Sequence, residues 1–162
     1  MRTGGRAAPG GETLLRTYLD SSALVKVFIA EPGRDTVLQA LTEAAIVATC
    51  RMSYVEVHGA LARARREGRA TRTHALQVAR EFDRRWAQLL VLEIDDALTT
   101  EAGALVYDLP LRAADAIHLA CARALAGGRT SETSFACWDR RLWHAAVALG
   151  FAPVPAAAPA AP

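Results

Sequence analysis

Short apolar runs alternate with longer stretches of helical periodicity along this chain. The runs that predict strands are 14–19, 46–49, 90–94, 134–137 and 151–154. Helical stretches are predicted between these runs, at 21–30, 36–44, 54–66, from Thr73 onward, 97–107, 113–126 and 138–149. Because strands that alternate with helices form parallel sheets, we expect one parallel sheet with helices on both faces.

Length and composition predict one globular domain. Hydrophobic residues make up 52% of the 162 residues and charged residues 22%, which excludes disordered and collagen-like chains. We expect the domain to span 13–154, between flexible tails at 1–12 and 155–162. No apolar run is long enough to cross a bilayer, the N-terminus lacks the apolar stretch of a secretory signal, and the three cysteines form no C-x-x-C pair. These features predict a soluble cytoplasmic protein with reduced thiols.

Arginine dominates the positive charge of the chain. Lys26 is its one lysine, and eight arginines fall between Arg63 and Arg85. Arginine binds phosphate bidentately and stacks on bases, so this cluster is compatible with a polyanionic partner. A solvated helix face in an arginine-rich composition explains it equally well.

Acidic residues follow the predicted strands at the edge where ligands collect in parallel sheets. Asp20 comes directly after the first strand, and Asp139 follows the fourth. Glu56 lies early in the helix after the second strand, and Asp115 near the start of the helix at 113–126. If the first and fourth strands are neighbours, Asp20 and Asp139 are close in space, and the side chain of Glu56 can lean toward the same edge.

Four converging carboxylates repel one another, and a divalent cation would relieve that repulsion. Mg²⁺ and Mn²⁺ prefer oxygen ligands, and such an ion also offsets charge on a phosphoryl oxygen. This interpretation favours metal-dependent hydrolysis of a phosphodiester. Each acid also has a simpler interpretation: Asp20 and Asp139 as helix caps, Asp115 as a partner of the helix dipole, and Glu56 as a surface residue.

Four sequence blocks carry a resemblance to a known family. They are YLDSSALVKVFIAEPG (18–33), SYVEVHGALARA (53–64), LRAADAIHLACA (111–122) and FACWDRRLWHAA (135–146). Together and in this order they resemble the PIN-domain nucleases, and more narrowly the VapC toxins of type II toxin–antitoxin pairs. The resemblance implies a three-layer α/β/α sandwich around a parallel sheet of four to five strands. It also implies a Mg²⁺- or Mn²⁺-dependent endoribonuclease.

The resemblance assigns roles to single residues. Asp20 and Asp115 match the direct metal ligands, while Glu56 and Asp139 would complete the cage or orient the attacking water. Ser22 matches a supporting serine two residues after the first acid. Cys137 stands where the family often has threonine or serine, which removes one supporting hydroxyl.

Further expectations concern RNA, partners and rival functions. Arg63, Arg66, Arg69 and Arg112 are the candidate RNA-binding residues, and His118 is expected to pack rather than to bind metal. The resemblance implies a cognate antitoxin and a homodimer, for which the apolar stripe from Leu76 to Leu89 is a candidate contact unless it packs in the core. The alternatives are a PIN nuclease of RNA processing without an antitoxin, a mainly partner-binding module, and a haloacid-dehalogenase-like phosphatase. The phosphatase ranks low because it requires a second aspartate where this chain has Ser22.

Overall fold

A computed structural model describes residues 15–160 of the protein. Their centre is a five-stranded, fully parallel sheet with the strand order β3-β2-β1-β4-β5. The strands are β1 Arg16–Leu19, β2 Ile46–Cys50, β3 Leu90–Leu92, β4 Thr133–Ala136 and β5 Ala152–Val154. The predicted parallel α/β architecture with four to five strands is therefore confirmed.

Seven α-helices within residues 15–160 cover the two faces of the sheet. They are α1 Ser21–Phe28, α2 Arg34–Glu43, α3 Met52–Arg66, α4 Arg72–Trp86, α5 Asp96–Asp108, α6 Ala113–Ala126 and α7 Arg140–Ala148. A short 3-10 turn, Thr130–Glu132, precedes β4 and was not predicted. Among the described residues, no helix has the length and apolar character that a bilayer crossing requires.

Alternation along the strands divides the core into two clusters. Tyr18 and Phe135 pack on the side of α5, α6 and α7, whereas Leu19 and Ala136 pack on the side of α1 to α4. Neighbouring strand residues point to opposite faces, so each strand contributes to both clusters. All four of these side chains are fully buried.

The central pair of strands determines where the first and last acids lie. β1 pairs with β4, with Leu19 opposite Ala136, and the amide of Asp20 donates to the carbonyl of Ala136 at 3.1 Å. The condition for convergence, that the first and fourth strands are neighbours, is thus met. Asp20 and the loop after β4 therefore lie next to each other at the C-terminal ends of the parallel strands.

The start of α7 differs from the prediction. A helix was expected from Trp138, but α7 begins at Arg140 and Asp139 is its N-cap. The reason is local, because the Asp139 carboxylate accepts the amides of Arg141 and Leu142 at 2.8 and 3.0 Å. Asp139 therefore stands in the loop at the sheet edge.

The apolar stripe of α4 is mostly core. Phe82 is fully buried and Val78 nearly so, while Leu76 is 49% exposed. Packing against α1 and α3 therefore explains most of the stripe, and only its N-terminal part remains open to a partner.

The predicted tails are only partly described. The segment 1–12 lies outside the described residues, as do the last two residues of 155–162. After β5 the chain keeps one contact with α7, in which Trp143 Nε1 donates to the carbonyl of Pro155 at 2.8 Å. The domain bounds of 13–154 stay a prediction.

Candidate active site

Asp20 lies at the carboxyl end of β1 and is only 4% exposed. Its carboxylate accepts the amide of Ala23 at 2.8 Å, which caps α1, and the hydroxyl of Ser22 at 2.7 and 2.9 Å. The amide of Trp138, after β4, donates to the same Ser22 oxygen at 2.7 Å. Ser22 thus links Asp20 to the loop that carries Asp139.

Asp115 and Asp139 are connected through Arg141. The Asp115 carboxylate, at the N-terminal turn of α6, accepts the amide of Arg112 at 3.0 Å. Its Oδ2 atom lies 3.4 Å from Arg141 Nε, and the amide of Arg141 donates to Asp139. Asp115 is buried, at 9% exposure.

Glu56 reaches the site from α3 and is held by His118 of α6. His118 Nε2 lies 2.9 Å from Glu56 Oε2, and Nδ1 lies 2.9 Å from the hydroxyl of Tyr18. Burial opposes protonation of His118, but its contacts with Cys50 and Glu56 outweigh burial and raise its pKa. His118 is buried, as expected, and it also orients an acid.

Cys137 lies directly after the end of β4, two residues before Asp139. Burial raises the pKa of its thiol, and the charges of Asp20, Asp139 and Asp115 raise it further. Cys137 is fully buried and its Sγ lies 3.7 Å from the carbonyl oxygen of Asp139. The departure from threonine or serine therefore places a buried neutral thiol beside the backbone of Asp139.

The pKa of Asp20 reflects its burial. It is raised from 3.8 to about 6 in total, and burial is the largest cause. The charge of His118 and the hydrogen bonds from Ala23 and Ser22 lower it, and the charge of Glu56 raises it again. Burial makes the charged form of this aspartate costly without a cation.

The donor set fits a hard divalent ion. Within residues 15–160, no group of three or more His, Cys, Asp or Glu side chains is arranged as a ready metal site. Mg²⁺ commonly takes one or two protein carboxylates and completes its shell with water and substrate phosphate. Asp20 and Asp115, two buried carboxylates with hydrogen-bonded backbone support, suit that mode of binding.

The predicted RNA-binding arginines occupy two separate places. Arg112 is exposed and directly precedes α6, beside Asp115. Arg63, Arg66 and Arg69 are exposed at the far end of α3 and just beyond it, about 10 Å or more along the chain from Glu56. Arg69 pairs with Glu67 at 2.6 Å.

One residue of the site, Arg141, was not singled out from the sequence, and for His118 the contact with Glu56 was missed. The sequence DRRL gives no signal that Arg141 contacts Asp115, because the direction of its side chain depends on where α7 begins. His118 was noted for its D-x-x-H spacing, but that spacing alone does not show that the ring faces Glu56. Residues three apart share a helix face, which was the one available signal.

The fold and the site together define an α/β protein with a parallel sheet and with acids directly after its two central strands, of which Asp20 is buried and Asp139 is partly buried. The PIN domain family model matches residues 17–128 of this chain. The chain belongs to the PIN-domain family, and the resemblance drawn from its four sequence blocks is confirmed.

The relatives in that family are ribonucleases and toxins. The chain is 35% identical to Ribonuclease VapC45 of Mycobacterium tuberculosis over 140 residues, which are 86% of this chain and 94% of the relative. The structure of VapC20 from the same species, a Sarcin-Ricin loop cleaving toxin, has a TM-score of 0.59 and 16% identity over 83% of this chain and 95% of that chain.

A third similar structure is a toxin-antitoxin complex from Klebsiella pneumoniae. Its TM-score is 0.57, with 17% identity over 78% of this chain and 89% of that chain. At these identities the two structures show a shared fold only.

Proposed function

We propose that this protein is a divalent-metal-dependent endoribonuclease that acts as the toxin of a toxin–antitoxin pair. The observation that carries the proposal is the pair of contacts that hold three acids near the C-terminal ends of β1 and β4: Ser22 joins Asp20 to the loop of Asp139, and Arg141 contacts both Asp139 and Asp115. Membership of the PIN-domain family and 35% identity to a VapC ribonuclease support the same reaction.

Asp20 and Asp115 are the proposed ligands of Mg²⁺ or Mn²⁺. The ion, when bound, supplies positive charge against the phosphoryl oxygens and polarises an attacking water. Ser22 keeps the Asp20 carboxylate in one orientation, because its single hydroxyl proton lies between the two carboxylate oxygens, at 2.7 and 2.9 Å from the Ser22 oxygen. The capping contact from Arg112 does the same for Asp115.

Glu56 and Asp139 are the proposed acids that complete the site. Glu56 is held by His118 and its side chain is 30% exposed, so it can reach a water molecule. Oδ1 of Asp139 accepts the amides of Arg141 and Leu142 at the N-terminus of α7. Oδ2 accepts no hydrogen bond from residues 15–160. These two positions suit the orientation of a nucleophile or the completion of the ion's shell.

Exposed arginines are the proposed contacts to the RNA backbone. Arg112 stands next to Asp115 and would bind phosphate beside the scissile bond. The RNA strand would also be held farther from the site, at the C-terminal end of α3, by Arg63, Arg66 and Arg69. This arrangement favours a single-stranded or looped RNA, whose phosphates can follow an irregular surface.

Partners and location follow from the same proposal. The solved toxin-antitoxin complex with this fold supports a cognate antitoxin, and we propose a homodimer that acts in the cytoplasm. Leu76 on α4 is a half-exposed apolar residue available to either protein contact. Co-expression with a candidate antitoxin should suppress RNA cleavage, and light scattering should give the mass of two chains.

Cleavage of a defined looped RNA by the purified protein tests the proposal. We expect cleavage with Mn²⁺, loss of cleavage after chelation, and a loss of about 100-fold or more in Asp20→Asn, because the ion contributes several kcal/mol to transition-state stability. Asp95→Asn is the matched control, since Asp95 caps α5 through the amide of Leu98 but lies on an exposed surface. Cleavage that survives chelation or Asp20→Asn would defeat the metal mechanism.

A further inference from the structure

Arg141 bridges the two helices that carry the last two acids. It is the second residue of α7, and its amide donates to the carboxylate of Asp139 at 2.8 Å. Its side chain runs back across the site, so that Nε lies 3.4 Å from Asp115 Oδ2. The backbone amide of Arg141 thus binds Asp139, and its guanidinium lies beside Asp115.

The guanidinium of Arg141 is a positive charge built into the acidic cluster. Within residues 15–160, no other ion pair reaches Asp20, Asp115 or Asp139. The side chain is only 37% exposed, and its Nε atom is buried without a hydrogen bond of good geometry. Arginine stays charged at any pH the protein meets, so this cation cannot be titrated away.

A geometry that is close but not hydrogen-bonded indicates an electrostatic contact rather than a fixed salt bridge. A bidentate arginine–carboxylate pair would have two short N–H···O bonds. Here a single Nε approaches a single oxygen, and that oxygen already accepts the amide of Arg112. The contact offsets the negative charge of Asp115 without fixing the orientation of its carboxylate.

We infer that Arg141 is an internal counter-ion that competes with the divalent ion for Asp115. This inference rests on the proposed metal site and deepens it. Without metal, the guanidinium offsets part of the repulsion among the acids. When metal binds, like charge pushes the guanidinium away from Asp115, so Arg141 lowers the metal affinity of the site.

The neighbouring residue supplies a matched control. Arg140 carries the same charge at the first position of α7 and is exposed, with no recorded contact to an acid within residues 15–160. Arg140→Gln therefore removes the same net charge from the same helix end. Arg141→Lys keeps the charge while changing the hydrogen-bonding group.

Mn²⁺ binding to the full, metal-stripped chain tests the inference, with free Mn²⁺ counted by electron paramagnetic resonance. Arg141→Gln should bind Mn²⁺ about tenfold more tightly than wild type, because a cation close to the bound dication is removed. Arg140→Gln and Arg141→Lys should stay within about twofold of wild type, since their charge near Asp115 is unchanged.

Two results would overturn the inference. Equal affinity in Arg141→Gln and Arg140→Gln would show that the guanidinium does not oppose the ion. Weaker binding in both Arg141→Gln and Arg141→Lys would show that Arg141 acts by holding the structure.

The same measurement separates this inference from the proposed function. Asp20→Asn should abolish tight Mn²⁺ binding if the proposed site exists. Binding that is lost in Asp20→Asn but unchanged in Arg141→Gln would defeat the counter-ion alone. Absence of Mn²⁺ binding in wild type and in every variant would defeat both.

Discussion

At the scale of single residues, three carboxylates of the cluster also hold the starts of helices. Asp20 caps α1, Asp139 caps α7, and Asp115 accepts the amide that precedes α6. The cap interpretation and the site interpretation therefore describe the same side chains. Because each carboxylate is tied to backbone amides, its position is set before any ligand arrives.

The raised pKa of Asp20 makes the protein less stable as pH rises. The folded chain holds a proton on Asp20 up to a pKa of about 6, whereas the ordinary pKa is 3.8. The folded state therefore binds more protons between about pH 4 and 6, and stability is lost as pH rises through this window. Asp20→Asn should increase the free energy of unfolding at pH 7 without metal by up to about 3 kcal/mol.

Urea unfolding in EDTA at pH 4.5 and pH 7 measures this effect. Asparagine also caps helices, so α1 should begin as before. Asp95→Asn makes the same change at the exposed cap of α5 and should leave the free energy of unfolding within about 0.5 kcal/mol. An Asp20→Asn protein that is less stable than wild type at pH 7 would contradict the assigned burial cost.

His118 should add a second pH dependence, at higher pH. Its pKa is raised in the folded state, so its stabilising contribution is complete below about 6.5 and is lost as pH rises above that value. His118→Gln should flatten the stability profile between pH 7 and 9, as measured by urea unfolding. Identical profiles for His118→Gln and wild type would refute the raised pKa that the contacts with Cys50 and Glu56 produce.

At the scale of secondary structure, Glu56 depends on the packing of α3 against α4. Phe82 of α4 is fully buried and forms aromatic contacts with Tyr54 and His58 of α3, at centroid distances of 5.6 and 5.5 Å. It also contacts Phe28 of α1 at 5.4 Å. One ring thus joins the helix after Asp20 to the helix that carries Glu56.

Phe82→Ala should therefore cost about 3 to 5 kcal/mol of unfolding free energy, since it removes a buried ring and leaves a cavity. Leu76→Ala on the same helix is the control, because Leu76 is half exposed and should change stability by much less. Chemical denaturation of both variants measures the difference. A small loss in Phe82→Ala would show that the Phe82 ring contributes little to the packing of α4 against α1 and α3.

The elements themselves were largely predictable from periodicity, and the start of α7 shows where that signal ends. Helix 138–149 was predicted from its apolar pattern, whereas the residue type of Asp139 indicated a helix cap, and the structure confirms the cap. The contact of Arg141 with Asp115 was not predicted, because a contact between side chains of two helices is not visible in the hydrophobic periodicity of either one.

At the scale of the whole molecule, strand order decides which acids meet. The sequence predicted acids after the first and fourth strands but not that these strands pair, which follows from the order β3-β2-β1-β4-β5. The four family blocks supplied that information indirectly. The orientation of Glu56 could not be predicted, because it depends on a contact between residues 62 positions apart.

The central claim is that Asp20 and Asp115 together hold a divalent ion, and anomalous diffraction from crystals soaked in Mn²⁺ tests it most directly. The account predicts one anomalous peak within bonding distance of both carboxylates, at about 2.0–2.3 Å, and no peak in Asp115→Asn crystals. A peak elsewhere on the molecule, or no peak at saturating Mn²⁺, would contradict it.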